Sequence, residues 1–256
     1  MALPPGVTEA LGALLRGTHE ALLDNLVGVY LRGSLATGDF LTTSDLDVLT
    51  VTERPVDDAE FAALRALHAR LATLPGDYAR RFEVAYIDRA ALRRFTHGRR
   101  HPTLYWNEPL AWSEHGANWI LERWTVREHG VPLCGPEPKT LIDPIAPDEL
   151  RAAVRDRLRD WAAWAEQPDD PDWPILYTVE TICRALYTLA HGELPSKARA
   201  LEWAIATLPE PWRTSVGQAR EWRAGAACDR AASAPEIRRF VRWAASADAT
   251  PDSSAR

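Results

Sequence analysis

The sequence predicts an α+β protein in two parts, a mixed sheet flanked by helices followed by an α-helical bundle. Three observations carry this expectation. Residues 26–51 read as a strand, a tight glycine turn, a short polar segment and a second strand bearing two aspartates. Apolar residues recur at helical spacing on both sides of that strand pair. A proline-dense stretch from Pro136 to Pro147 then divides this half from a series of amphipathic segments.

Val7 to Leu23 places Leu11, Leu14, Leu15, Leu22 and Leu23 at helical spacing, which predicts a helix behind the first strand. Leu26 to Leu31 is apolar and β-branched enough for a buried strand, and Gly33-Ser34 ends it. In the second strand Asp45, Asp47 and Leu49 alternate with Leu46, Val48 and Thr50. A side-chain period of two puts both aspartates on one face. Asp57 to Leu74 (Phe61, Leu64, Leu67, Leu71) is a further amphipathic helix, stopped by Pro75-Gly76-Asp77.

A third strand spans Arg81 to Ile87, with Phe82, Val84 and Tyr86 on one face and Glu83, Ala85 and Ile87 on the other. A glutamate in an otherwise apolar strand breaks a local rule, and such breaks cluster at functional sites. Between residues 88 and 120, His97, His101 and His115 show no metal-ligand spacing and are expected at surface or loop positions. Trp106, Trp112 and Trp119 either line an aromatic wall for a ligand or belong to the core, and Trp112 is carried forward as a candidate substrate contact. Asn118 to Glu128 reads as helix. Beyond the proline-dense stretch, helices are expected at Leu150–Trp164, Ile175–His191, Ala198–Thr207, Thr214–Ala224 and Ala234–Ala245, with a frayed tail from Thr250.

The 256 residues suffice for one large or two modest cores, and 46% hydrophobic with 26% charged residues is ordinary for a globular protein. A formal net charge of −6 argues against a nucleic-acid surface, because such domains are usually basic, and suits a cationic small molecule. Cys134, Cys183 and Cys228 are widely spaced, which points to a reducing compartment rather than a disulfide framework or a zinc site. Neither a signal peptide nor an apolar run of about 18 residues is visible, so a cytoplasmic monomer without a membrane partner is expected.

Two carboxylates side by side on a strand repel each other unless something offsets the charge, and Mg²⁺ commonly takes one or two carboxylates together with substrate phosphates. Gly33-Ser34 supplies small residues and backbone N–H groups that suit a phosphate. A phosphate cradle within about a dozen residues of paired carboxylates suggests nucleotidyl transfer.

Gly33-Ser34 followed by Ser44-Asp45-Leu46-Asp47 resembles the signature of the DNA polymerase β-like nucleotidyltransferases. Within that superfamily the chain resembles the streptomycin/spectinomycin (aminoglycoside (3'')(9)) adenylyltransferases. Arg127-Glu128-His129, the run to Gly135-Pro136 and then Asp143-Pro144 carry that closer resemblance, which extends from about Val29 to Trp222. It implies a nucleotidyltransferase domain over residues 1–140, a helical domain over 148–248 and a flexible tail over 249–256. It also implies ATP as co-substrate and two Mg²⁺ ions held by Asp45 and Asp47, with Glu83 as general base on the substrate hydroxyl or as a third metal ligand. ATP would meet Gly33, Ser34 and Ser44 of the first domain and Arg184, Lys197 and Trp222 of the second. Asn118 stands where the family has an aspartate near the nucleotide. Lys197 is one of only two lysines in the chain, beside Lys139. Asp172-Trp173, with Asp170 nearby, resembles the family's streptomycin-contacting segment, and carboxylates beside an aromatic face suit a polycationic substrate. The expected activity is transfer of AMP to an aminoglycoside hydroxyl, conferring resistance. The alternatives are a protein hydroxyl or an unrelated metabolite as acceptor, or a nucleotide-binding sensor without catalysis.

Overall fold

A computed structural model describes residues 4–167 and 174–246. The backbone separates into two compact units, Met1–Pro144 and Ile145–Arg256. The first unit opens with helix α1 (Pro5–Leu22), followed by strand β1 (Leu26–Leu31), the short helix α2 (Gly33–Thr37) and strand β2 (Leu46–Thr52). Helix α3 (Asp58–Leu71) leads to β3 (Phe82–Asp88), and the five-residue helix α4 (Arg89–Arg93) follows directly. Strands β4 (Arg100–Leu104) and β5 (Ala111–Glu114) precede helix α5 (Asn118–His129), strand β6 (Val131–Cys134) and the one-turn helix α6 (Pro138–Leu141).

The six strands form one mixed sheet in the order β5-β4-β3-β2-β1-β6. β2 and β3 run parallel because α3 carries the chain back across the sheet, whereas the other neighbours are antiparallel. The start of α3 is fixed locally by a capping box. The Asp57 side chain accepts from the Ala59 and Glu60 N–H groups, while Glu60 accepts from the Asp57 N–H.

One sheet face presents Leu46, Val48, Phe82, Val84 and Tyr86 to Val7, Leu11 and Leu14 of α1 and Leu64, Leu67 and Leu71 of α3, all buried. The opposite face carries Leu49, Ala85 and Ile87, also buried, and Leu49 and Ile87 share a crevice with Trp119 and Val126 of α5. Burial of both faces explains why central strands read as near-continuous apolar runs.

The histidine-bearing segment differs from expectation. Residues 100–104 and 111–114 are strands rather than loop, and His101 and His115 are buried at 5% and 1% exposure. His115 stacks on Trp119 with centroids 3.6 Å apart and bonds Thr103 Oγ1 through Nε2 at 3.0 Å. Burial pushes the imidazolium of His101 down to about 4 and that of His115 to about 2, so both are neutral packing elements at neutral pH. The proline-dense segment behind β6 lies against the first unit, where Ile142 is buried and Asp143 pairs with Arg93 and Arg94 at 2.9 and 2.8 Å.

The second unit contains helices α7 (Pro147–Ala165), α8 (Ile175–His191), α9 (Lys197–Thr207), α10 (Trp212–Arg223) and α11 (Arg230–Ala245). α8 packs against α7, α9, α10 and α11, and its Val179, Ile182, Cys183 and Leu186 are fully buried. Each expected helix is present. α11 begins four residues before the expected Ala234 because Asp229 caps it by accepting from the Ala232 N–H. No helix among the described residues is long and apolar enough to cross a membrane.

Candidate active site

The site grows from the register of two strands. Parallel pairing places Asp47 of β2 directly beside Glu83 of β3, both on the face away from α1 and α3. Asp45 sits one residue before β2, two positions from Asp47 and therefore on the same side. One carboxylate oxygen from each of Asp45, Asp47 and Glu83 lies within 4.8 Å of the others, the single such His/Cys/Asp/Glu group among the described residues. Burial and the nearby Asp47 charge push the Glu83 carboxyl up from 4.5 to about 7, against the opposing pull of Arg32. Three crowded acidic side chains are costly alone and suit a divalent cation of the Mg²⁺ type.

The turn after β1 is shaped around the same carboxylates. Gly33 has φ +58°, and a Cβ there would come within 2.0 Å of Asp47 Oδ2. Both the backbone conformation and the space therefore require glycine. The neighbouring Ser34 Oγ is buried without a hydrogen-bond partner, an orphaned polar atom of the kind an anionic ligand would satisfy. Ser44, also expected to meet nucleotide, instead closes its own loop. Its Oγ accepts from the Leu41 N–H at 3.0 Å, and its N–H donates to the Leu41 carbonyl at 2.9 Å.

Two residues beside the carboxylates had not been singled out. Arg32 Nη1 lies 3.0 Å from Asp47 Oδ1 and 2.7 Å from Glu122 Oε2. Arg32 is only 7% exposed, and its guanidinium rests 5.6 Å from the Trp119 ring centroid. The available signal was an arginine directly before the Gly-Ser turn, at the end of an apolar strand. Asn118 begins the helix that carries Glu122, one turn upstream on the same side.

Trp112 is placed elsewhere. Its strand partner is Pro102, two residues from Leu104, which pairs with Val84. That parity puts Trp112 on the sheet face of α3, where it stacks on Phe61 at 5.5 Å, and not on the carboxylate face. For Trp112 the structure thus shows packing against the α3 side of the sheet.

In the second unit Arg184 donates from Nε to the Pro195 carbonyl at 3.0 Å, which ties α8 to the segment leading into α9. Glu180, one turn before Arg184 on α8, pairs with other cations. Glu180, 3% exposed, receives Arg223 Nη1 at 2.6 Å and Lys197 Nζ at 3.5 Å. Lys197 also lies 5.0 Å from the Tyr177 ring centroid. Trp222, half-buried, adjoins Arg223 near the end of α10. Arg223 and Glu180 are forty-three positions apart in sequence, so their contact follows from the packing of α10 on α8. Asp170, Asp172 and Trp173, and the tail 249–256, lie outside the described residues.

Comparison with known proteins yields two family matches. Residues 15–100 match the nucleotidyltransferase domain, and residues 140–247 match the C-terminal domain of aminoglycoside adenylyltransferases. The chain is 27% identical over 250 residues to an aminoglycoside (3'')(9) adenylyltransferase of Escherichia coli, covering 93% of this chain and 91% of the relative. It is 26% identical over 218 residues to a spectinomycin 9-adenylyltransferase of Staphylococcus aureus, covering 80% of each. Among solved structures it superposes on the spectinomycin adenyltransferase AAD(9) from Enterococcus faecialis, crystallised with ATP and spectinomycin. The TM-score is 0.76 at 16% identity, with 93% of this chain and 98% of the other covered, a likeness of fold.

Proposed function

We infer the reaction from one premise: the chain belongs to the aminoglycoside adenylyltransferase family, its nucleotidyltransferase domain joined to that family's own C-terminal domain. It is a nucleotidyltransferase, and the transfer proposed is of AMP from ATP to a hydroxyl of an aminoglycoside-type antibiotic of the spectinomycin or streptomycin class. Resistance to that antibiotic would follow. The relatives' names support the acceptor class, and the chain's net charge of −6 suits a cationic one.

The observation that carries the chemistry is the cluster of Asp45, Asp47 and Glu83, with ligand atoms within 4.8 Å. These three residues would hold Mg²⁺, proposed as two ions, which when bound supplies positive charge to the phosphates and to the developing alkoxide. The acceptor hydroxyl oxygen forms a bond to the α-phosphorus of ATP, the bond from that phosphorus to the bridging oxygen of the β-phosphate breaks, and pyrophosphate departs. Glu83 is proposed to take the hydroxyl proton, its carboxylate standing beside those of Asp45 and Asp47 with ligand atoms within 4.8 Å. Gly33 and the orphaned Ser34 hydroxyl are proposed to receive the triphosphate. Arg184 and Lys197 of the second unit are proposed as phosphate contacts, and Trp222 as a nucleotide contact. For Lys197 that role means exchanging Glu180 for phosphate oxygens. Asn118 is retained as a nucleotide contact, and Asp170, Asp172 and Trp173 as substrate contacts. Ser44 is retained only through its hydroxyl hydrogen, since its oxygen accepts within its own loop.

The test is pyrophosphate release with ATP and Mg²⁺ in the presence of spectinomycin, of streptomycin, or of neither, with Asp47→Asn as blank. Release stimulated by either drug and lost in the variant is the expected result. Nucleotide binding without drug-stimulated release would overturn the antibiotic as acceptor while leaving the fold and the nucleotide site standing.

A further inference from the structure

The charge balance of the carboxylate cluster depends on a residue that the transfer chemistry leaves without a task. Four carboxylates, from Asp45, Asp47, Glu83 and Glu122, gather around the single guanidinium of Arg32, and all four act to hold it charged. Arg32 is tied to Asp47 twice. Its backbone N–H donates to the Asp47 carbonyl at 3.0 Å, and its Nη1 lies 3.0 Å from Asp47 Oδ1. The same Nη1 reaches Glu122 Oε2 at 2.7 Å, and the Trp119 ring, itself stacked on buried His115, stands beside the guanidinium. A 7% exposed side chain fixed on three sides is a built-in charge. An exposed arginine could swing into solvent when a ligand arrives, but this one is enclosed by its partners.

We propose that Arg32 is a positioning residue, an internal counter-cation that holds the Asp47 carboxylate in place without metal and, by its own charge, weakens the hold of the carboxylates on a divalent ion. This rests on the reading of Asp45, Asp47 and Glu83 as the metal site. The physical case is competition. Arg32 engages one oxygen of Asp47, and a fixed positive charge a few ångströms from the site opposes any second cation there. Glu122 divides the guanidinium's attention between two carboxylates and so sets how strongly Arg32 opposes the metal. Arg32 and Glu122 thereby adjust metal affinity, one downward and the other upward, without being metal ligands.

The experiment measures Mn²⁺ affinity from the electron paramagnetic resonance signal of the free ion, together with thermal melting in chelator and in Mn²⁺. The unsubstituted protein is compared with Arg32→Met, Arg32→Lys and Glu122→Gln. Arg32→Met is expected to melt lower than the parent in chelator, to gain more in melting temperature from Mn²⁺, and to bind Mn²⁺ about tenfold tighter. Arg32→Lys keeps the charge and should stay within about threefold of the parent. Glu122→Gln returns the whole of Arg32 to Asp47 and should bind Mn²⁺ several-fold more weakly. Equal or weaker binding in Arg32→Met, or a lysine variant that behaves like the methionine one, overturns the inference. If Arg32→Met has no cooperative melt, Glu122→Gln decides, and unchanged or tighter Mn²⁺ binding there overturns it. Failure of the unsubstituted protein to bind Mn²⁺ is a different result, which removes the metal-site reading and the inference with it.

Discussion

Glu83 permits a quantitative prediction about stability. Its carboxyl is lifted from 4.5 to about 7 by burial first and by the Asp47 charge second. The native protein without metal therefore holds a proton on Glu83 over a pH range in which the unfolded chain has lost it. Stability must fall as pH rises through that range, from about 4.5 to about 7, and level off above it. At about 1.4 kcal/mol for each tenfold change in proton affinity, the full penalty is about 3 kcal/mol, of which about 2 kcal/mol develops between pH 5.5 and pH 8. Glu83→Gln keeps the shape and removes the ionisation. Unfolding free energies from urea titrations in chelator, taken at several pH values from 5.5 to 8.5, should show the parent losing about 2 kcal/mol relative to the glutamine variant. Saturating Mg²⁺ should reduce that loss, since a bound cation favours the ionised carboxylate. Parallel curves for the two proteins in chelator would refute the reasoning, because they would mean that Glu83 ionises as freely in the native state as in the unfolded one.

Three further outcomes follow from the same geometry. Asp47→Asn should lower pyrophosphate release by about a hundredfold or more, since in the proposed mechanism it removes a charge that holds the metal, while far-ultraviolet circular dichroism stays unchanged. Gly33→Ala should destabilise the protein by about 1–3 kcal/mol in thermal or urea unfolding and weaken Mn²⁺ binding, because the added Cβ meets Asp47 Oδ2 at 2.0 Å and φ is +58°. Arg123→Leu should cost about 2–4 kcal/mol in urea unfolding, because Arg123, 3% exposed, donates to the carbonyls of Ala91, Leu92 and Trp119, and leucine leaves that buried polar set without its donor.

The parts of the fold that were legible in the sequence are those where local pattern and tertiary environment agree. β1, β2 and β3 were readable because they are buried on both faces and carry apolar runs that end at glycine, proline or polar clusters. The helices of the second unit were readable because each buries one stripe, as α8 does with Val179, Ile182, Cys183 and Leu186. β4 and β5 were not. Arg100-His101-Pro102-Thr103 has neither apolar alternation nor β-branched enrichment, and its strand conformation comes from pairing with β3 and β5. The neutral, buried state of His101 and His115 was hidden for the same reason, since Thr103, twelve residues before His115, meets it only once those strands have formed, and the ring of Trp119 covers it from the start of α5. Trp112 lies away from the carboxylates through parity alone. A shift of one residue in its pairing would move it to the carboxylate face, and no pattern in residues 105–114 fixes that register.

The acidic cluster divides along the same line. Asp45 and Asp47 share a face through the period of one strand, a property the sequence states directly. Glu83 meets them because a parallel pairing sets Phe82 against Leu46, and one step later Glu83 against Asp47. The alternation of Phe82, Val84 and Tyr86 with Glu83, Ala85 and Ile87 already required that if one set faced α1 and α3, the glutamate faced away. Arg32 has no such warrant. Its position after β1 reveals nothing of Glu122, ninety residues later on α5, and a lone arginine at a strand end most often points to solvent. What makes it a fixed cation is the tertiary arrangement of Asp47, Glu122 and Trp119, so the balance of charge at this site belongs to the assembled sheet and helix rather than to the Gly-Ser…Asp-Leu-Asp motif. A chain can therefore keep that motif intact while differing widely in metal affinity, and the Arg32 and Glu122 variants measure how wide that difference is.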